Sequence, residues 1–368
     1  MDRRDFIKRS VAGLAGCAAA AVAPQGADAK QVSAGRPLDD GATLLPEDPT
    51  PEEIADLKRK WSYWMDPPEG YRFAPEVKFV KSVALGDGCV AELYLQRNGP
   101  KPHHFQRVLK MFPKDAKGPL PAVVCPDYYV EGSAGFKFDD PQKPFVASEG
   151  VTMSRDLARR GFATITCDSF HMNYMESDLP KEEGMKRWKI AAYALYNDWP
   201  EWNSMAKKVH DIRLAIDMLE SDRRIDMSRV GMAGHSLGGQ TTLYAGCLDP
   251  RVKAMFCDDF GIRFDQTNWD MVHYWGGRLH AARKADGLEN HQLLTLSGAK
   301  PFCLVAGHYD DDTSFTEMLK AKGYRSRPGD LMFVNHATGH APTPWALEAG
   351  YDFLYRKLNG IWGEKPWA

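Results

Sequence analysis

Nowhere do two cysteines stand three residues apart, and the seven present are scattered from Cys17 to Cys303. That removes the Cys-x-x-Cys halves from which structural zinc sites are built. It also argues against the disulfide framework of short secreted domains. Neither Gly-x-Gly-x-x-Gly nor Gly-x-x-x-x-Gly-Lys-Ser/Thr occurs, so the glycine loops that cradle nucleotide phosphates are missing. Positive charge is not in excess: 47 lysines and arginines face 49 aspartates and glutamates, a net charge of −2. Lys58-Arg59-Lys60 reads as a solvated helix face, and no nucleic-acid partner is expected. No apolar run is long enough for a permanent membrane span.

What is present is ample for a core: 368 residues, 43% of them hydrophobic. Residues 1–29 read as an export signal. Arg3-Arg4 followed by Phe6-Ile7-Lys8 resembles the twin-arginine motif, an Ala/Gly-rich apolar run follows, and Ala27-Asp28-Ala29 suits cleavage. The expected destination is the periplasm or the medium, with the twin-arginine translocase as a transient partner. Leu14-Ala15-Gly16-Cys17 offers the competing reading of a lipoprotein anchored through Cys17. Cleavage after Ala29 is favoured because the apolar run continues past Cys17 to Val22. Residues 30–75 read as a linker and an N-terminal helix (Pro51 to Asp66), and 76–368 as the main domain. Cys125, Cys167, Cys257 and Cys303 fall in or at the end of short apolar runs and are expected to be unpaired core thiols.

VKFVKSVAL and CVAELYLQR, joined across Gly86 to Gly88, predict a hairpin, and HFQRVLKMFP a third strand. Beyond Pro119 the rhythm changes. Short apolar runs (LPAVVCPD, FATITCD, RVGMAG, VKAMFCDD, PFCLVAG, LMFVN) alternate with helical stretches, ending in a helix over Pro344 to Leu358. That alternation predicts an α/β fold: a mostly parallel sheet with helices on both faces and antiparallel strands at the N-terminal edge. Two insertions, near 169–204 and 260–297, follow strand ends on the side where open α/β sheets bind ligands. Their aromatics, Tyr193, Tyr196, Trp199, Trp202, Phe264, Trp269, Tyr274 and Trp275, offer two readings. They form a stacking platform for a sugar, or they pack the insertions onto the body; packing is favoured.

GMAGHSLGGQ, residues 231–240, carries the chemistry. Gly-x-Ser-x-Gly alone arises by chance in about one chain in ten of this length. Here a buried strand precedes it and a helix follows, so Ser236 falls on a sharp strand-to-helix turn. Gly234 and Gly238 are required because side chains there would clash as the backbone folds around the serine. The next helix aims its N-terminus at the site, which favours developing negative charge. A serine hydroxyl needs a base, and the base needs a carboxylate. His340, in the loop before the last helix, is the expected base, with His336 as rival. Asp310, in the turn after PFCLVAG, is the expected acid. Asp311, Asp312 and Asp258, the first of the two acids of VKAMFCDD, remain alternatives.

These pieces resemble the α/β-hydrolase superfamily, and within it the dienelactone-hydrolase-like and acetylxylan-esterase-like enzymes. The resemblance rests on KGPLPAVVCPD, RRGFATITCDSF, the run from Val209 to Gln240, HQLLTLSGAKPFCLVAG and GHAPTPWALEAGYDFL, covering residues 81–358 or so. It implies a Ser236–His340–Asp310 triad that cleaves carboxylic esters through an acyl-enzyme, with no cofactor or metal. It departs from dienelactone hydrolases proper, which use cysteine. The family's usual His-Gly after the third strand is replaced by Pro126-Asp127-Tyr128-Tyr129. The oxyanion hole is assigned to the backbone N–H groups of Leu237 and Tyr128, and the hydroxyl of Tyr128 or Tyr129 is a further candidate donor. The expected substrate is a small-molecule or carbohydrate ester, of acetylxylan type. A prolyl-oligopeptidase-like peptidase and a non-catalytic binding protein on the same scaffold are the competing readings.

Overall fold

A computed structural model of the protein describes residues 49–360, apart from 146–147, 177–183 and 323–325. The export segment, Cys17 and nearly all of the linker lie outside the described residues. Helix α1 (Pro51–Met65) starts on a capping box: Thr50 accepts the Glu53 N–H, and Glu53 accepts the Thr50 N–H. Pro51 occupies the first turn, where its missing N–H costs nothing. Leu57, Trp61, Trp64 and Met65 carry its buried stripe.

Strands β1 (Val77–Ala84), β2 (Cys89–Arg97) and β3 (Phe105–Pro113) form the expected antiparallel meander. The alternating part follows as β4 (Leu120–Val124), a short α2 (Val130–Ala134), a small hairpin of β5 (Phe136–Lys137) and β6 (Asp140–Pro144), then α3 (Met153–Arg159) and β7 (Ala163–Cys167). Next come α4 (Gly184–Asp198), α5 (Ser204–Glu220), β8 (Ile225–His235), α6 (Leu237–Leu248) and β9 (Val252–Asp258). The chain continues through α7 (Gly277–Ala285), α8 (His291–Leu296), β10 (Phe302–Ala306), α9 (Asp312–Lys322), β11 (Leu331–Asn335) and α10 (Pro344–Asn359).

The main sheet has nine strands in the order β1-β2-β3-β7-β4-β8-β9-β10-β11. β3 meets β7 antiparallel, and from β7 to β11 every pairing is parallel. β4, β7 and β10 are buried along their whole length, as strands covered on both faces must be. Alternate residues feed the two covering layers. Ala122 and Val124 pack with α1, α5 and α6, while Val123 and Cys125 pack with α3 and α10. From β4 the chain moves to β7 on one side, then crosses back to β8 on the other. The C-terminal ends of β4 and β8 therefore flank a topological switch point, where an open α/β sheet leaves a crevice.

Of the insertion aromatics, Trp202, Phe264, Trp269, Tyr274 and Trp275 are buried, and Tyr196 donates to the carbonyls of Val272 and Trp275. These six pack the insertions onto the body, whereas Tyr193 is exposed, and of the set Tyr274 lines the cleft described next.

Candidate active site

A cleft of about 210 Å³ opens at the switch point, lined by the turns after β4, β8, β9, β10 and β11. Ser236 sits between the last residue of β8 and the first of α6 with φ 53° and ψ −118°, a backbone region costly for any side chain. The turn leaves no room for substituents at its flanks. A Cβ on Gly234 would stand 2.1 Å from the Gly238 carbonyl, and one on Gly238 would stand 2.2 Å from the Pro126 oxygen. The reward is placement: the Ser236 hydroxyl meets His340 Nε2 at 3.0 Å, and His340 Nδ1 meets Asp259 Oδ2 at 2.6 Å. Ser236, His340 and Asp259 thus form a continuous hydrogen-bonded line.

Asp259 also has a positive φ, 39°. Its Oδ1 accepts the N–H groups of Gly307, His308, Tyr309 and Asp310 at 2.9–3.1 Å. Burial pushes its carboxyl up, but His340 and the His308 and Asp310 N–H groups outweigh that and hold it below the ordinary carboxylate value. Asp310 mirrors this arrangement. Its carboxylate accepts the N–H groups of Phe260, Gly261 and Ile262, each at 2.8 Å, and the Ser314 hydroxyl at 2.9 Å. Burial, helped by the Asp259 charge, lifts the Asp310 carboxyl to about 7.

On the other flank, Leu237 and Gly238 open α6, whose first N–H groups have no partner inside the helix. Tyr128 lines the cleft together with Ser236 and Tyr274. Its ring is stacked on Trp188 of α4, with centroids 4.5 Å apart and planes 3° from parallel. Burial, then the Tyr274 hydroxyl, raises its pKa well above 10 and keeps it a donor. The Tyr128 backbone N–H is taken, donating to Asp127 Oδ1 at 2.5 Å.

No family model matches the sequence. Two proteins resemble stretches of it. Carbohydrate esterase MZ0003, from an unknown prokaryotic organism, is 29% identical over 125 residues, 30% of this chain and 29% of that one. Hydrolase acrC of Aspergillus aculeatus is 35% identical over 100 residues, 27% of this chain and 23% of that one. The matched stretch is under a third of either relative's length. Solved structures superpose far more completely. A glucuronoyl esterase from Solibacter usitatus matches at a TM-score of 0.61, with 16% identity, over 89% of this chain and 99% of its own. A promiscuous CE15 esterase from a marine bacterial metagenome gives 0.62, with 15% identity, over 90% and 99%. Acetyl Xylan Esterase 1 from a Thermoanaerobacterium gives 0.52, with 14% identity, over 87% and 98%. The chain has the α/β-hydrolase fold.

Within this α/β-hydrolase sheet, two expectations require correction. The carboxylate beside His340 comes from the turn after β9, not from the turn after β10: Asp259 occupies that position, and Asp310 is committed to backbone N–H groups. Asp258 is turned away onto His235, whose Nδ1 it meets at 2.7 Å, while Asp311 caps Thr313 and Asp312 accepts from Asn335. The backbone N–H of Tyr128 is committed to Asp127 Oδ1, which leaves the hydroxyl as the donor this residue can offer in the cleft. His336 is held by the Thr338 hydroxyl at 2.7 Å beneath Gly307. The sequence reading passed over Asp259 and His235. Among the described residues no group of three or more His, Cys, Asp or Glu side chains is arranged to hold a metal, and no helix is long and apolar enough to cross a membrane.

Proposed function

We propose that this protein is a serine hydrolase cleaving carboxylic esters of carbohydrates, with acetylated sugars of the xylan type as the favoured class. The observation that carries the reading is the Ser236–His340–Asp259 line at 3.0 and 2.6 Å, opening on a cleft at the switch point. His340 Nε2 takes the hydroxyl proton as Ser236 Oγ attacks the ester carbonyl. Asp259 fixes the tautomer by accepting from Nδ1–H. The Leu237 N–H and the Tyr128 hydroxyl receive the oxyanion, a type of contact worth several kcal/mol in the transition state. His340 then gives its proton to the leaving alcohol, and water, deprotonated by His340, releases the acid from Ser236. The carbohydrate part rests on the partial match to a carbohydrate esterase and on the fold shared with glucuronoyl and acetyl xylan esterases. Export through the twin-arginine route is part of the same proposal, motivated by Arg3-Arg4-x-Phe6-Ile7-Lys8.

The test is hydrolysis of p-nitrophenyl esters from acetate to octanoate by the protein lacking residues 1–29. Acetate is expected to turn over fastest, and Ser236→Ala to lose at least about a thousandfold in kcat. A wild type inert on every ester, with no fluorophosphonate labelling of Ser236, would overturn the reading in favour of a binding protein. Labelling without ester cleavage would favour the peptidase.

A further inference from the structure

A second imidazole–carboxylate pair stands beside the first, and the mechanism above does not use it. His235 and Asp258 are the last residues of β8 and β9 and are register partners, so their side chains leave the sheet on the same face. Asp258 Oδ2 lies 2.7 Å from His235 Nδ1 and is wholly buried. The ring of His235 rests against that of His340, with centroids 4.6 Å apart. With Nδ1 tied to Asp258, Nε2 is the edge left over, and among the described residues it has no hydrogen-bond partner. Glu149 Oε2 stands across from it at 3.9 Å. Glu149 and His235 both line the cleft. Glu149 is held there in a left-handed backbone conformation, φ 64°, which a non-glycine residue adopts only at a cost.

A separation of 3.9 Å is too long for a hydrogen bond, yet one oxygen can sit about 2.8 Å from both atoms. Burial disfavours the charged imidazole, but Asp258, Glu149 and Asp259 outweigh it and raise the His235 pKa. A hydroxyl group suits this pair in either form of the imidazole: it accepts from Nε2–H and donates to Glu149 when His235 is charged, and donates to Nε2 when His235 is neutral. An apolar group in the same place leaves both unpaired. The location decides which part of the substrate is read. His340 must face the leaving oxygen to protonate it, whereas Leu237 and Tyr128 lie on the oxyanion side.

We propose that His235, supported by Asp258, and Glu149 form a subsite for a hydroxyl of the leaving alcohol. The favoured substrates are then acyl esters of polyols or sugars with a free hydroxyl on the carbon next to the one bearing the ester. This rests on the serine-hydrolase reading and deepens it, because it places the sugar on the alcohol side of the scissile bond.

Two acetates differing by one hydroxyl test it: trans-2-hydroxycyclohexyl acetate and cyclohexyl acetate, with p-nitrophenyl acetate as a common reference. The wild type is expected to prefer the hydroxylated acetate by about tenfold or more in kcat/KM, the effect of one well-made hydrogen bond in a buried site. His235→Phe keeps a ring against His340 but lacks Nε2, and it is expected to bring that ratio toward one. Because it strands Asp258, Glu149→Gln, a change at a partly exposed side chain, serves as the second variant and is expected to lower the ratio in the same direction. A ratio near one in the wild type, or a preference that both variants retain, overturns the subsite while the triad stands. Failure of the wild type on all three acetates, p-nitrophenyl acetate included, overturns both.

Discussion

Asp259 uses its two oxygens differently: one orients His340, and the other gathers four backbone N–H groups of the β10 turn. Asp259→Asn disturbs both jobs and offers Nδ1 the wrong partner. A fall of about 10³–10⁴ in kcat is expected, read from p-nitrophenyl acetate turnover. Asp310→Asn does not touch His340. It turns an amide NH₂ toward backbone donors and is expected to cost about 1–3 kcal/mol of stability, seen as a lowered Tm, with a far smaller effect on kcat. Its pH dependence has a definite sign. The Asp310 carboxyl holds its proton up to about 7 in the folded protein but only to about 3.8 unfolded. Its stabilising effect is therefore full below 3.8 and is lost as pH rises through 7. The Tm gap between wild type and Asp310→Asn should widen as pH falls from 7 to 4, and a constant gap contradicts the assignment. Two acids in a row at the end of β9 were visible in the sequence. Alternation puts them on opposite faces, Asp258 continuing that of Ala254 and Phe256, but which face meets His340 depends on the distant loop after β11.

At the scale of elements, the turn that carries Ser236 is a steric construction. Gly238→Ala places a Cβ 2.2 Å from the Pro126 oxygen, on backbone that cannot swing aside. A loss of about 3 kcal/mol is expected from such overpacking, measurable by denaturant unfolding, together with lost turnover as the strand-to-helix angle opens. This element was legible because its glycines, strand and helix are local. The short strands, with the buried runs of β4, β7 and β10, were legible for the same reason, since covering on both faces leaves a continuous apolar run. What stayed hidden is non-local. Nothing near Tyr128 in sequence tells that Trp188, sixty residues on, stacks against it at the edge of the cleft. Nor does composition reveal whether an insertion's tryptophans face a ligand or the body.

For the molecule as a whole, cysteine chemistry gives the clearest expectation. Cys89, Cys125, Cys167, Cys247, Cys257 and Cys303 are all unpaired and buried. Burial pushes the Cys89 and Cys247 thiols up to about 11 and raises the other four as well. Thiolate, the reactive form, is therefore scarce in the native state. With residues 1–29 removed, Ellman's reagent is expected to find none of these six thiols until denaturant is added. Rapid modification of the folded protein would contradict the packing. A chain whose core needs reduced cysteines gains from folding before it leaves the cytoplasm, which is how twin-arginine export is proposed to deliver it.

The crossed carboxylates give the active site an order of assembly. Asp259 completes the turn that carries Asp310, and Asp310 completes the turn that carries Asp259. Neither turn can finish its own hydrogen bonding while the other is absent, so a half-built site has little to hold it. The two loops arrive together and leave together, and the histidine between them acquires its partner in the same event. Opening either turn is therefore expected to abolish activity outright rather than erode it by degrees.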